Sequence, residues 1–120
     1  MFKQDYLMRI IEDSIRFLVK IVLNKDSVIY ELADEVEKHT PTDLLHTQLL
    51  TLINQGKINE AENMLYEELD RENKRHIELA LDFYRRLNDL DDEFLEKNNF
   101  PREEIEQGLK TIAQQFGISI

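Results

Sequence analysis

Apolar side chains return every three or four residues along most of this chain, and no segment sustains an alternation of period two. The pattern predicts helices and no strand. The first helix runs from about Lys3 to Leu23. Projected at about 100° per residue, Asp5, Arg9, Glu12, Asp13, Arg16 and Lys20 share an arc of roughly 100°, while the apolar residues from Tyr6 to Val22 fill roughly 220°. A face that wide needs more than one neighbour. Helices of the same chain and a second copy of the protein are both candidates.

Asn24, Lys25 and Asp26 interrupt the pattern. Asp26 or Ser27 then caps a second helix to about Lys38, with Ile29, Leu32, Ala33 and Val36 as its stripe. A kinked continuation of the first helix is the alternative. Thr40 and Pro41 read as an N-cap followed by proline in the first turn, with Asp43 near the positive end of the helix dipole. This third helix reaches about Asn54 and turns Leu45, Leu49, Leu52 and Ile53 inward. Gly56 is a left-handed cap, and Asn59 with Glu62 makes a capping-box-like start to a fourth helix ending near Leu69. A long fifth helix is expected from Asn73 to Lys97, because Ala80, Phe83, Leu87, Leu90 and Phe94 recur at 3-4-3-4 spacing. Pro101 opens the last helix, whose buried face is Ile105, Leu109, Ile112 and Phe116. Gly117 caps it, and Ile118 folds back as the hydrophobic contact of the cap. The expectation is one all-α domain over residues 1–120, with about six antiparallel helices in tetratricopeptide-like hairpins or an irregular bundle.

Composition narrows the function classes. The 120 residues hold 25 Asp and Glu against 15 Lys and Arg, a formal charge of −10. That balance argues against a nucleic-acid binder, which needs clustered cations to meet phosphates. The chain has no cysteine, hence no disulfide, no thiolate metal site and no cysteine nucleophile. The charge is also uneven. Residues 1–24 hold four cations and three anions, net +1, and the remainder is net −11. The cations and carboxylates spread through residues 3–20 argue against a signal peptide or a membrane-spanning segment. A cytoplasmic protein is the expectation.

Two resemblances add to this reading. Leu45, Leu49 and Leu52, then Gly56-Lys57-Ile58-Asn59-Glu60-Ala61, then Leu65, resemble one tetratricopeptide repeat. Ile58 stands where that family has Tyr and Leu65 where it has Phe. The Leu-Gly pair of the first helix is missing, Glu68 replaces the second small residue, and no Pro closes the unit. Asn98-Asn99-Phe100-Pro101 is a degenerate counterpart of Gly56-Lys57-Ile58-Asn59. The run Gln4-Asp5-Tyr6-Leu7-Met8-Arg9-Ile10-Ile11, with Leu23-Asn24-Lys25-Asp26 after it, resembles the opening of a family of short uncharacterised helical proteins of Gram-positive bacteria. That resemblance implies a cytoplasmic, repeat-like helical protein and carries no catalytic or binding residues.

Candidate chemistry is sparse. His39, His46 and His76 form no HxxxH or HExxH pair, and histidines near helix ends are expected at the surface. Three acidic groups stand out: Asp34, Glu35 and Glu37; Glu67, Glu68, Asp70 and Glu72; and Asp89, Asp91, Asp92 and Glu93. Facing carboxylates could hold magnesium and a nucleotide phosphate, but the inward positions are filled by Leu, Ile, Phe and Ala. Solvated acidic faces are the expectation, and an EF-hand at Asp89–Glu93 is excluded because its glycine is absent. Ser14, Ser27 and Ser119 lack a glycine elbow. Tyr66, Phe83, Tyr84 and Phe94 at helical spacing read as core. Arg71 to Arg75 and Arg85-Arg86 are basic islands too small for nucleic acid. No catalytic residue, metal or cofactor site is assigned. The expected function is a non-catalytic protein–protein interaction or scaffold domain, homodimeric through its first helix, with an acidic-rimmed groove suited to a basic protein or peptide partner. The alternative is a helical-bundle metal-dependent enzyme such as a nucleotide pyrophosphohydrolase, which an inward cluster of three or more carboxylates or histidines would favour.

Overall fold

The computed structural model describes residues 2–24 and 41–118, and these form six α-helices with no strand. They are α1 (Phe2–Leu18), α2 (Pro41–Asn54), α3 (Ile58–Glu68), α4 (Lys74–Asn88), α5 (Asp92–Lys97) and α6 (Arg102–Gln115). The helix expected over 26–38 and the Thr40 cap lie outside the described residues.

α1 continues into a π-helical turn, Val19–Leu23, and ends at Asn24. Asn24 takes a left-handed conformation (φ 55°), and its N–H closes on the Val19 carbonyl. Asn tolerates that conformation better than a branched residue, which is why the pattern stops there. Of the wide apolar face of α1, Leu7, Ile11, Ile15, Leu18 and Val19 are buried, and Tyr6, Phe17 and Ile21 are exposed.

Three helix ends share one design. Lys57 N–H bonds the Leu52 carbonyl and Gly56 N–H the Ile53 carbonyl. Phe100 with Leu95, and Asn99 with Glu96, repeat the pattern, as do Ile118 with Ala113 and Gly117 with Gln114. Each is the paired closure of a helix C-terminus that requires a left-handed residue, supplied by Gly56 (φ 79°), Asn99 (φ 58°) and Gly117 (φ 71°). The counterpart of Gly56 is therefore Asn99, one residue later than the sequence alignment places it. The two turns also meet: Asn59 donates its amide to the Asn99 carbonyl at 3.1 Å. This tertiary bond displaces the expected capping box. α3 starts at Ile58 behind Lys57, with no side-chain cap.

α4 is the centre. Leu79, Ala80, Leu81, Asp82, Phe83 and Tyr84 are six consecutive buried residues, which a helix achieves only when neighbours surround it. α1 with its π turn, α2 and α6 all pack on α4, while α3 packs on α2 and α1 also packs on α6.

The single helix expected from Asn73 to Lys97 is broken in two, at residues 89–91. The cause is Arg102, which stands first in α6 rather than Pro101; Pro101 is its extended N-cap (φ −62°, ψ 158°). The Arg102 guanidinium is 1% exposed. Its Nη1 donates to the Asn88 carbonyl at 2.7 Å and to Asn88 Oδ1 at 2.8 Å. Its Nη2 donates to the Leu90 carbonyl at 2.8 Å and to Asp92 Oδ1 at 2.6 Å, and Nε donates to Asp92 Oδ1 at 3.0 Å. Carbonyls aimed at a guanidinium are not aimed at N–H groups four residues on, so the helix stops. Asp91 then restarts it by accepting from Phe94 N–H at 2.9 Å. Asn88 carries the network onward, donating its amide to the Met8 carbonyl of α1 at 3.1 Å.

α6 closes against α4 at Gly108, where an added Cβ would run into the Tyr84 ring. Overpacking a core costs about 1–3 kcal/mol, and alanine returns up to about 1 kcal/mol of helix propensity. Gly108→Ala should therefore lower stability by about 1–2 kcal/mol, read from urea denaturation midpoints. Arg102→Leu should cost more, about 2–4 kcal/mol, because it leaves the Asn88 and Leu90 acceptors without their charged donor. Arg102→Lys should lose most of the same stability in the same assay, since a point ammonium cannot replace a five-donor fork.

Candidate functional site

Four features could carry function: an outer groove, an exposed stripe and two buried polar networks. The groove lies along α2 and α3. Leu44, Leu45, Gln48 and Leu52 recur at helical spacing on α2, and Glu60, Met64 and Glu67 do so on α3. The opposite faces of the same helices, Leu49 and Ile53 on α2 and Ala61 and Leu65 on α3, are buried in the core. The groove encloses about 650 Å³, with an apolar floor and Glu60, Glu67 and Glu68 at its rim. Leu44, on its lip, is 59% exposed.

The stripe runs along α1. Tyr6, Ile10, Phe17 and Ile21 fall within roughly 60° of one another on the helix projection. Tyr6 is 67%, Phe17 46% and Ile21 53% exposed, with Ile10 half-buried. Arg9, Asp13, Arg16 and Lys20 form the adjoining row, where Arg16 and Asp13 pair at 3.6 Å.

The first buried network joins α2 to α4. Asp43 and Asp82 are each 1% exposed. Arg75 donates to Asp43 at 3.0 Å. Asp82 accepts from Arg85 Nη2 at 2.7 Å and from Arg86 Nε at 2.6 Å, the neighbours three and four residues along its own helix. His46 Nδ1 lies 4.0 Å from Asp82. Burial pushes the His46 imidazole below its ordinary value, and the Asp82 charge opposes that without overcoming it. The structure departs from the sequence expectation on two points. His46 is buried, and two carboxylates do face inward. Both point inward because arginines on the same helix or its neighbour neutralise them. Asp43, read as a partner of the helix dipole, is one of the pair.

The second network joins α3, α4 and α6. Tyr84 donates its hydroxyl to Glu62 Oε2 at 2.6 Å. With that proton committed, Tyr66 serves as donor, its hydroxyl 2.9 Å from the Tyr84 oxygen and 3.3 Å from the Gly108 carbonyl. Burial raises the Tyr84 phenol far above its ordinary value and keeps it protonated. Burial also raises Glu62; the bond from Tyr84 opposes this, and the nearby Glu104 adds to it. A cleft of about 290 Å³ opens beside Glu62, Tyr66, Glu104 and Thr111.

Other candidates are placed differently. His39 lies outside the described residues. His76 is half-buried and accepts the Asp70 N–H at Nδ1, at 2.9 Å. Asp34, Glu35 and Glu37 lie outside the described residues. Glu67, Glu68, Asp70, Glu72, Asp89, Asp91 and Glu93 are exposed. Asp92 departs from the expected solvated face, because Arg102 takes it. The basic islands break up: Arg75, Arg85 and Arg86 turn to the buried carboxylates. Among the described residues, no group of three or more His, Asp or Glu is placed to hold a metal ion. Nor is any described helix long and apolar enough to cross a membrane.

Glu62 sets a pH dependence. Its folded-state value lies above 4.5, so its contribution to stability is complete below that pH and is lost as pH rises through the folded value. Glu62→Gln stays neutral and still accepts from Tyr84. Urea denaturation from pH 4 to pH 7 should show wild type losing stability relative to Glu62→Gln as pH rises. A constant difference would contradict the assignment.

No curated protein and no solved structure matches the chain. One family model matches residues 1–117, nearly the whole sequence that builds these networks, and its description is a family of unknown function, DUF6483. The chain belongs to that family.

Proposed function

We propose that this is a non-catalytic protein-interaction domain of the cytoplasm, homodimeric through the exposed stripe of α1. The stripe of Tyr6, Ile10, Phe17 and Ile21 carries the reading. Two large aromatic groups and two isoleucines in a row are a contact surface, and aromatic side chains are favoured anchors at interfaces. Charge argues for a second copy. Residues 1–24 are net +1 while the rest of the chain is net −11, so two copies repel through most of their surface and least through α1. Asp43, His46 and Asp82 are the kind of inward trio that the enzyme alternative asks for, but arginines already hold both carboxylates, and this supports the non-catalytic part. Glu62 accepts from Tyr84. The α2–α3 hairpin supports the scaffold part. Gly56 is left-handed and Ala61 fully buried, at the positions where the resemblance to a tetratricopeptide repeat asks for a turn and a close approach; the resemblance to short helical proteins of Gram-positive bacteria fits the same helical, cytoplasmic reading.

Sedimentation at micromolar concentration should give a dimer for wild type. Tyr6→Ser/Phe17→Ser/Ile21→Ser should give a monomer with an unchanged helical circular dichroism spectrum, because the three side chains lie outside the core. A monomeric wild type would overturn the reading.

A further inference from the structure

We infer that the α2–α3 groove is a docking site for a cationic amphipathic helix of a partner protein, a surface separate from the α1 stripe. The two helices form a hairpin in which α4 packs against the inner side of α2, and the inner face of α3 is buried in the core. Their outer side presents Leu44, Leu52 and Met64 as a floor, with Leu45 where the floor meets the core, and Leu44 is 59% exposed. A hairpin with an apolar outer furrow takes a third helix as the simplest way to bury it, the helix-in-groove mode of recognition. The length fits: from Pro41 to Leu52 the floor spans about 17 Å, about three helical turns.

The rim selects the occupant. Among the described residues, Glu60, Glu67 and Glu68 line the groove and no Lys or Arg does. A helix with leucines on one face and lysines or arginines on its flanks would place apolar side chains on the floor and cations against these carboxylates. A second copy of this chain is a poor occupant of that rim, since most of its surface is acidic. The partner is therefore a different, basic protein segment.

The test uses the full chain and a labelled Leu/Lys amphipathic peptide of about eighteen residues, long enough to form a stable helix, with binding read by fluorescence anisotropy. The Leu/Glu peptide of the same length and pattern should not bind. Glu67→Lys/Glu68→Lys should weaken Leu/Lys binding about tenfold, whereas Glu93→Lys/Glu96→Lys, the same charge change on exposed α5, should change it less than about threefold. Leu44→Ser should also weaken binding, and hydrogen exchange should slow in α2 and α3 when the peptide is added. Equal weakening by both double reversals would mean attraction to net charge alone and would overturn the inference, as would binding of the Leu/Glu peptide or no binding at all. None of these outcomes depends on self-association, because the dimer is tested through Tyr6, Phe17 and Ile21.

Discussion

Arg102 is withdrawn from water, and each of its five N–H groups finds an acceptor within 3.0 Å. A buried cation survives only when its donors are all met and its charge is opposed. Asp92 supplies the opposing charge, and the Asn88 and Leu90 carbonyls and the Asn88 side chain supply the remaining acceptors. These acceptors are the end of α4, the link to α5 and the first residue of α5, so one side chain of α6 fixes three successive pieces of chain. Asn88 passes the constraint to α1 through the Met8 carbonyl. The angle at which α5 leaves α4, and the seating of α1 on the centre, follow from this one burial.

The same rule governs the other polar groups around α4. A helix enclosed by α1, α2 and α6 would ordinarily be apolar all round, yet α4 carries Asp82, Tyr84 and Asn88 in its buried surface. Each is met by a partner of suitable charge or hydrogen-bonding type: Asp82 by Arg85 and Arg86, Tyr84 by Glu62 and Tyr66, Asn88 by Arg102. These contacts are directional where apolar packing is not, and they fix which neighbour lies where. Asp43–Arg75 and His46 beside Asp82 belong to α2, Glu62 and Tyr66 to α3, and Arg102 to α6, so each surrounding element is keyed to α4 or to its end.

Charge on the outside follows a simpler division. Most acidic residues of the later helices face solvent, the near-neutral first helix exposes aromatic and aliphatic side chains, and the furrow between α2 and α3 joins an apolar floor to a carboxylate rim. A uniformly acidic protein would be soluble but featureless. Here two surfaces depart from that, in opposite senses, and lie on different elements.

The sequence by itself determined the all-helical class, the turns and the apolar faces of the helices, because these rest on local geometry. A left-handed Gly56 or Gly117, a proline in the first turn and a repeat of three and four residues act within one or two turns of chain. Leu45, Leu49, Ala61, Leu65, Ile105 and Leu109 are therefore where the pattern puts them. It also showed that α1 has more apolar surface than one neighbour covers. Only the tertiary structure decided the break after Asn88, since Ala80 to Phe94 is an unbroken helical pattern and the competing partner, Arg102, stands ten or more residues away. Only it decided that Asp43, His46 and Asp82 turn inward and that Asn59 caps a distant turn instead of its own helix. A charged residue enters a core when a particular partner arrives from another element, and spacing along the chain carries no record of that meeting.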